Sequence, residues 1–289
     1  MIELLAPRFP DYELLDCGGF EKIERFGEVV LIRPEPQAVW QPVKPDQWHR
    51  RAHARFEQEG SHNGRWQILK NCPESWELPY RAEFYTLRFK LALTRFKHVG
   101  VFPEQATNWD FIYDQCQRLK APRVLNLFAY TGGASLAARA AGASVTHVDS
   151  VKQVVGWAKD NMALSELEDI RWIVDDAVKF AEREARRGSR YGGILLDPPA
   201  FGHGAKGERW QLEDQIDGLM GTLAQLLNPD GCFLVFNAYS LGFSALLLEN
   251  LLRDHFKAAA KNIRLYELYL ASTWGPHKLP AGITARVTN

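Results

Sequence analysis

The chain has 289 residues, of which 46% are apolar and 24% charged, a globular composition that excludes a disordered chain or a coiled coil. Its 35 Lys and Arg residues balance 35 Asp and Glu residues, so no global basic field favours a protein that coats DNA. The four cysteines lack CxxC spacing; this predicts neither a disulfide framework nor a zinc site and is typical of a reducing cytosol.

Targeting and membrane-spanning segments leave recognisable patterns in a sequence. Residues 1–16 carry the acids Glu3 and Asp11 and lack a long apolar core, so we expect no signal peptide. No stretch of about 18 uninterrupted apolar residues occurs, so we expect no transmembrane helix and no membrane partner. The histidines lack the spacing of metal ligands. Together these features predict a cytoplasmic protein without a metal site.

The first 120 residues combine short alternating runs with prolines and aromatic residues. The segment 28–33 predicts a strand that ends at a proline, whereas the polar segment 40–64 predicts a helix or a loop. Apolar and polar residues alternate over 87–94, which predicts a half-buried strand. We therefore expect a small β-rich module over 1–65 and a connecting β-hairpin region over 66–100.

The predicted strand over 87–94 has a partly basic outer face. Five Lys and Arg residues and one acid lie between Arg81 and His98. This excess of positive charge fits either a solvated sheet face or a face that contacts phosphate groups. Arg88 and Lys90 are the candidates for such phosphate contacts.

Strands and helices alternate regularly from residue 123 onwards. The predicted strands are 123–128, 144–148, 170–174, 193–196, 232–236, 264–270 and 283–287. The predicted helices are 132–141, 151–164, 177–187, 212–227 and 243–256. Such alternation is typical of a parallel sheet with helices on both faces, and the helix-free last link makes the final strand antiparallel. The predicted fold class is α/β, with a seven-stranded doubly wound sheet, an antiparallel last strand and a small β-rich N-terminal domain.

The first of these strands ends in a turn with two adjacent glycines. In a doubly wound sheet, ligands bind beyond the carboxyl ends of the strands. Gly132 and Gly133 let the backbone approach a ligand at a helix N-terminus, although a tight turn needed only for packing explains them equally well. The GxGxxG pattern is absent, which argues against a dinucleotide-dependent oxidoreductase.

Acidic residues follow the second and third strands. Asp149 can accept the ribose hydroxyls of an adenosine; alternatively, Asp149 or Ser150 caps the next helix. Asp175 and Asp176 are adjacent, so one can accept an adenine amino group while the other caps the helix that begins at Ala177. We expect Asp176 to make the adenine contact.

The fourth strand ends in Asp197-Pro198-Pro199, and Phe201 follows closely. Two prolines after a buried strand remove two amide donors and fix a rigid turn, whose free carbonyls can point at a ligand. Phe201 can stack on a planar substrate. We therefore assign the catalytic role to Asp197, Pro198, Pro199 and Phe201. Cys232, at the start of the fifth strand, is expected to be a core thiol.

Four segments in this order resemble one enzyme family. They are NLFAYTGGASLAA, VTHVDS, VDDA and LLDPPAFG, within residues 99–240. They resemble class I S-adenosylmethionine-dependent methyltransferases, which have a Rossmann-like sheet. More narrowly, they are similar to the ribosomal RNA large-subunit methyltransferases that act on a cytosine or guanine of 23S rRNA. The segment ERFGEVVLIRPEPQAVW is similar to a bacterial branch of these enzymes.

The resemblance implies S-adenosylmethionine as the cofactor and residues 101–289 as the methyltransferase domain. It implies that the segment 100–105 closes over the methionine part and that Asp149 and Asp176 hold the ribose and the adenine amino group. Asp197 would face the methyl-transfer site. The full set of expected cofactor residues is Pro103, Glu104, Gln105, Phe128, Ala129, Tyr130, Thr131, Gly132, Gly133, Asp149, Ser150, Asp175, Asp176, Ala177 and Asp197.

Two departures from the family pattern bear on the acceptor. The PUA-like RNA-binding module usual in that family is not visible, and the fifth strand ends in Asn237-Ala238-Tyr239-Ser240 rather than Ser-Cys-Ser. Methylation of cytosine C5 needs a cysteine that first adds to C6, so the absence of that cysteine argues against this reaction. We therefore predict transfer to a base nitrogen by direct displacement, without a metal.

The expected partner is RNA, as ribosomal RNA or a ribosomal subunit, which makes the predicted role RNA methylation in rRNA processing. The expected substrate contacts are Arg88, Lys90, Lys206, Arg209 and Tyr239. The neutral net charge favours the alternative of a protein or small-molecule acceptor, and a cofactor-binding module without catalysis is a third interpretation. Strand-forming segments in 1–65 could pair with a neighbouring chain, which leaves a homodimer open.

Overall fold

Contacts divide the chain into two compact units. The computed structural model describes residues 2–60, 63–204, 207–239, 242–257 and 262–289, without the side chain of His203. The first unit comprises Met1–Leu5, Thr107–Leu268 and Gly282–Asn289; the second comprises Ala6–Ala106 and Tyr269–Ala281. This grouping differs from the segments 1–65, 66–100 and 101–289 expected from the sequence. Which segments act as functional domains stays a prediction.

The helices and strands have the following bounds. The strands are β1 (Ile2–Leu5), β2 (Tyr12–Gly18), β3 (Glu21–Phe26), β4 (Val29–Pro34), β5 (Ala54–Gln58), β6 (Gly64–Ile68), β7 (Ser75–Arg81), β8 (Thr86–Ala92), β9 (Arg123–Leu127), β10 (Ser144–Asp149), β11 (Ile170–Val174), β12 (Gly193–Leu196), β13 (Phe201–His203), β14 (Arg209–Gln211), β15 (Phe233–Ala238), β16 (Asn262–Ala271) and β17 (Lys278–Thr288). The α-helices are α1 (Pro45–Arg51), α2 (Ala106–Arg118), α3 (Gly133–Ala140), α4 (Lys152–Leu164), α5 (Ala177–Arg186), α6 (Leu212–Leu226) and α7 (Ala245–His255). A 3₁₀ helix spans Pro103–Gln105. Within the described ranges, no helix is long and apolar enough to cross a membrane.

An eight-stranded sheet forms the centre of the first unit, in the order β1-β16-β17-β15-β12-β9-β10-β11. The neighbours from β15 to β11 are parallel, whereas β17 runs antiparallel to β15. The predicted Rossmann-like α/β class and its antiparallel last strand are thus confirmed. The sheet has one strand more than expected, because β1 adds to its edge in parallel with β16.

Helices cover both faces of this sheet. Side chains point alternately to the two faces along each strand, so every strand contributes side chains to the packing on both sides. Leu125 and Leu127 of β9 lie in one apolar core with residues of α5, α6 and α7. Asn126, between them, faces the other way, and its amide donates to Ser135 of α3 at 2.9 Å. The central strands β9, β12 and β15 are buried along almost their whole length, which explains their nearly continuous apolar sequences.

The second unit is rich in β-structure, as predicted. A five-stranded sheet has the order β2-β3-β4-β5-β6, and β7 and β8 form a separate antiparallel hairpin. The predicted half-buried pattern is present in β8, where Leu87, Phe89 and Leu91 are fully buried. The segment expected to be helix or loop contains α1 but also β5. In β5 only Ala54 and Phe56 are buried, an apolar alternation too short to identify a strand from sequence.

A buried ion pair joins β3 to β4 in the second unit. Glu24 and Arg33 are 0% and 4% exposed, and Arg33 Nε and Nη2 lie 2.8 and 2.7 Å from Glu24 Oε2. The hydroxyl of Tyr12 donates to the other carboxylate oxygen at 2.8 Å. Burial opposes the ionisation of Glu24, but the charges of Arg33 and Lys22 outweigh it, so the pKa of this carboxyl is lowered.

We expect Glu24→Ala to lower the free energy of unfolding by about 3–5 kcal/mol, because it leaves Arg33 buried without its partner. Arg65→Ala is the control, since the pair of Arg65 with Glu57 is exposed and such pairs contribute little. Urea denaturation of both variants measures the difference. Equal unfolding midpoints would contradict a structural role for the Glu24–Arg33 pair.

Candidate functional site

The carboxyl ends of the parallel strands meet at one edge of the large sheet. The register pairs Leu127 of β9 with Val148 of β10 and with Leu196 of β12, and it pairs Leu196 with Phe236 of β15. Asp149 of β10 likewise pairs with the last residue of β11. The polar residues that follow these strands in the sequence therefore lie along one edge, as the sequence predicts.

The turn after β9 has an unusual backbone. Phe128 and Tyr130 have φ angles of 54° and 49°, and Gly132 has a φ angle of 93°. Left-handed conformations in residues with side chains are uncommon and store strain of roughly 1–3 kcal/mol each. Such strain persists only where surrounding contacts hold it, and it clusters at ligand-binding turns.

Packing excludes a side chain at Gly133, and close packing together with the positive φ angle disfavours one at Gly132. A Cβ atom on Gly132 would lie 3.2 Å from Cβ of Ala158 in α4, and one on Gly133 would lie 2.6 Å from the Trp109 ring in α2. The packing interpretation of these glycines is therefore supported by the structure. Their contact with a cofactor stays a prediction.

Buried polar side chains support the turn from within. The carbonyl of Thr131 accepts a hydrogen bond from Asn161 at 2.9 Å. Ser135 Oγ, which accepts from Asn126, lies 3.0 Å from His147 Nδ1. Burial lowers the pKa of His147 to about 3, so its ring is neutral at physiological pH. Its Nε2 atom is buried with no hydrogen-bond partner in the part of the chain that the structure describes.

Asp149 joins the end of β10 to the strained turn. Its Oδ2 accepts the N–H of Tyr130 at 3.0 Å and its Oδ1 accepts the N–H of Val151 at 2.9 Å. Burial raises the pKa of Asp149, and these amides offset part of the effect. The carboxylate is half-buried, the amide of Ser150 is a third backbone donor to it, and two carboxylate oxygens can together accept about four hydrogen bonds. Asp149 thus binds the backbone of the neighbouring turns, and its carboxylate can still accept a hydrogen bond from a ribose hydroxyl.

The two acids after β11 have different partners. Asp176 caps α5 by accepting the N–H of Lys179 at 2.9 Å, so the residue expected at the adenine is also the helix cap. Asp175 forms an ion pair with Arg183 and accepts the N–H of Asp176 at 2.9 Å. The capping bond occupies one oxygen of Asp176. The adenine contact of Asp176 stays a prediction.

Asp197 follows β12 at the level of Asn237, since the two parallel strands β12 and β15 are in register up to Leu196 and Phe236. The carboxyl is half-buried, and burial raises the pKa of Asp197 to about 7. At neutral pH this carboxyl therefore exists in both protonation states. Pro198 is buried and Pro199 exposed, which fixes the turn as the sequence predicts.

Trp210 was not identified from the sequence, and it holds this turn. Its indole N–H donates to the carbonyl of Pro199 at 2.6 Å, so the expectation of free carbonyls is wrong for Pro199. The Trp210 ring also lies 4.8 Å from that of Phe128, measured between centroids. The ring of Phe201 is 46% exposed, with the guanidinium of Arg209 5.6 Å from its centroid.

A buried network at the end of β15 was also missed. Asn108 of α2 donates to Asn237 at 2.9 Å and accepts from Arg286 Nε at 2.9 Å. Burial lowers the pKa of Arg286 to about 10. The network fixes Asn237 beside Asp197, while Tyr239 is 49% exposed. No local sequence pattern signals these contacts, because their partners are far apart in the chain.

The remaining predicted site residues lie elsewhere. Pro103, Glu104 and Gln105 form the 3₁₀ helix of the second unit, where burial raises the pKa of Glu104 to about 7. Arg88 and Lys90 are exposed on β8 of that unit, and Lys90 lies opposite the acid Glu77 on β7. Lys206 lies outside the described residues. The remaining cofactor candidates, Ala129, Ser150 and Ala177, follow the carboxyl ends of β9, β10 and β11 in the first unit.

Comparison with known proteins assigns this chain to a family. The model of the S-adenosylmethionine-dependent methyltransferase family matches residues 65–262. A solved SAM-dependent methyltransferase from Agrobacterium tumefaciens is 38% identical, and the alignment covers 100% of this chain and 96% of that one with a TM-score of 0.91. The chain therefore belongs to the S-adenosylmethionine-dependent methyltransferase family, and it is an enzyme.

More distant relatives add detail. "Ribosomal RNA large subunit methyltransferase K/L" of Shewanella frigidimarina is 34% identical over 153 residues, which are 52% of this chain and 21% of that protein. The chain thus spans about a fifth of the length of the curated relatives it matches. The structure of SMU.776, solved with SAH, shares the fold with 16% identity and a TM-score of 0.71, over 96% of this chain and 75% of that one.

The residues at the sheet edge fit S-adenosylmethionine, the methyl donor of this family. The turn after β9 leads into the N-terminus of α3 at the carboxyl edge of the sheet, the place where parallel sheets bind nucleoside ligands. Half-buried carboxylates follow β10 and β11, which suits hydroxyl and amino donors of an adenosine. The hydrogen-bond acceptors of the protein at this edge therefore match the hydrogen-bond donors of the adenosine part of the cofactor.

We expect Asp149→Asn to weaken S-adenosylhomocysteine binding by roughly 10–100-fold, because hydrogen bonds to a charged group contribute about 1.5–3 kcal/mol. Titration calorimetry measures the affinity. Asp230→Asn is the control, since Asp230 is an exposed acid just before β15, at the opposite edge of the sheet. Equal affinities of both variants would remove Asp149 from the cofactor site.

Proposed function

We propose that the enzyme transfers a methyl group from S-adenosylmethionine to a base nitrogen of ribosomal RNA, in the cytoplasm. The observation that carries this proposal is Asp197-Pro198-Pro199 at the end of β12, beside Asn237, with no cysteine at that position. A carboxylate and an amide can hold a base amino or ring N–H group. The names of the curated relatives support RNA as the acceptor.

The cysteines of the first unit support nitrogen rather than carbon as the acceptor atom. Cys232 precedes β15, so it lies at the amino end of the sheet, whereas Asp197 follows the carboxyl end of β12. Cys116 on α2 is fully buried, and burial raises the pKa of its thiol to about 12. Neither thiol can add to a cytosine ring at the edge that carries Asp197. Carbon methylation of cytosine by that route lacks its nucleophile in this unit.

Asp197 acts on the acceptor. Its carboxylate accepts a hydrogen bond from the N–H of the base and stabilises the positive charge that develops on the nitrogen. A pKa near 7 also suits it to take the proton that the nitrogen releases. S-adenosylmethionine supplies a methyl group activated by its sulfonium. The protein mainly orients the nitrogen towards that group.

The other predicted residues position the cofactor and the base. In this proposal the turn 128–133 and Asp149 with Ser150 hold the nucleoside, and Asp175–Ala177 bind the adenine. Phe201 and Tyr239 have exposed rings that can stack on a flipped base. The Arg209 guanidinium over Phe201 adds a positive charge for a neighbouring phosphate.

We expect the rate of methyl transfer to rise with pH up to about 7 and then level off, because only the ionised form of Asp197 accepts the N–H hydrogen bond. In Asp197→Asn the rate falls by roughly 10²-fold or more and this rise disappears. Tritium transfer to unmodified ribosomal RNA measures both. Asp230→Asn is again the control. A wild-type rate and pH dependence in Asp197→Asn would contradict the proposed role of Asp197.

The product identifies the acceptor. Digestion of the labelled RNA to nucleosides is expected to give a base methylated on nitrogen, whereas 5-methylcytidine would contradict the proposed chemistry. Transfer to protein or metabolite fractions without transfer to RNA would replace the RNA substrate by the alternative acceptors.

Arg88→Glu with Lys90→Glu tests the exposed face of β8. We expect weaker binding of ribosomal RNA at low salt and unchanged S-adenosylhomocysteine affinity, because phosphate contacts depend on charge and the cofactor does not need them. Filter binding and calorimetry measure the two affinities. Unchanged RNA affinity at low salt would exclude this face.

A further inference from the structure

A second basic surface lies in the second unit, and none of its residues has been assigned to the cofactor or the acceptor above. Lys44 precedes α1 and Arg51 ends it, and both lie over the ring of Trp274, with Nζ and Cζ 5.7 and 5.8 Å from its centroid. Lys70 donates to the carbonyl oxygen of Arg50, which adds a further cation at the end of this helix. We call Lys44, Arg50, Arg51, Lys70 and Trp274 the Trp274 patch.

Neighbouring acids do not neutralise this patch. Its four cationic residues are exposed and, within the described part of the chain, none of their charged side-chain groups has a carboxylate oxygen within 4.0 Å. By contrast, Arg25 and Arg55 of the same unit each form an ion pair with a glutamate. One acid, Asp46, lies in the first turn of α1. Unpaired positive charge in a chain of zero net charge suits an anionic partner.

Strand β2 holds both parts of the patch in place. Asp16, fully buried, accepts the N–H of Lys44 at 2.9 Å and the indole N–H of Trp48 at 3.1 Å. The backbone N–H of Trp274 donates to the carbonyl of Leu15 at 2.9 Å. Because adjacent residues of one strand anchor both parts, Lys44 and Trp274 are positioned before a ligand arrives. Such preorganisation lowers the entropic cost of binding.

We infer that the Trp274 patch binds the phosphate backbone of RNA, as a contact additional to the methyl-transfer site. Cation–π contacts hold two positive charges near one ring without a carboxylate, so both charges remain available to phosphates. The patch offers charge rather than apolar surface, since Trp274 is half-buried against the core of Leu15 and Trp48. This favours RNA over a protein partner. The inference rests on the RNA substrate proposed above.

The test compares Lys44→Glu/Arg51→Glu with Arg118→Glu/Lys120→Glu. The second pair changes the net charge equally, at two exposed residues, the last residue of α2 and one that follows it before β9, at the amino edge of the large sheet. Fluorescence anisotropy measures binding of a labelled oligouridylate of about twenty nucleotides over a range of salt concentrations. Only the first variant is expected to bind at least about tenfold more weakly, with a salt slope reduced by about one for each lost phosphate contact.

Lys44→Ala/Arg51→Ala is a milder version that removes the charges without reversing them. It should show the same direction with an unchanged melting temperature, because all substituted side chains are exposed. Wild-type affinity and salt slope in both patch variants would overturn the inference.

Methyl transfer separates this inference from the proposed function. For ribosomal RNA the first variant should raise KM and leave kcat unchanged, and S-adenosylhomocysteine should bind as in wild type. If the patch variants methylate RNA and bind oligouridylate as the wild type does, the inference about the Trp274 patch is wrong, whereas the proposed function is unaffected. A wild-type enzyme that methylates no RNA would overturn the proposed function, while oligouridylate binding would still decide whether the patch binds phosphates.

Discussion

The parallel register of the central strands determines which side chains meet at the candidate site. Since β9, β10, β12 and β15 end at one level, residues far apart in sequence meet at one edge without long loops. Polar groups inside the strands, such as Asn126 and His147, are buried within the protein, whereas polar groups at the strand ends lie at the edge of the sheet. Asp149, Asp197 and Asn237 all occupy such positions. The site is therefore a consequence of the sheet more than of any single motif.

The strand ends are also tied to one another. Asp149 connects β10 to the turn after β9 through the N–H of Tyr130, and Trp210 connects that turn to the one after β12 by contacting Phe128 and Pro199. These links hold backbone angles that an isolated turn would avoid. A displacement of one strand end therefore also displaces the neighbouring turns. These contacts keep the strand ends in fixed positions relative to one another.

Sequence reasoning located the strand ends because apolar runs, glycines and prolines are local signals. It missed contacts that depend on distant partners, such as Asn108 with Asn237, which are 129 residues apart. It missed Trp210, because the short strands β13 and β14 that present it have no period to recognise. It also missed the pairing of β1 with β16. These two strands lie near opposite ends of the sequence, and no local pattern indicates that they pair.

His147 makes the layer beneath the glycine turn insensitive to acidity. Its ring stays uncharged until the pH falls to about 3, and it contacts Ser135 rather than solvent. Proton uptake by this layer therefore cannot reshape the turn in a living cell. In the proposed mechanism a fall in pH acts instead through Asp197, whose pKa is about 7, so methyl transfer slows while this support of the turn stays the same.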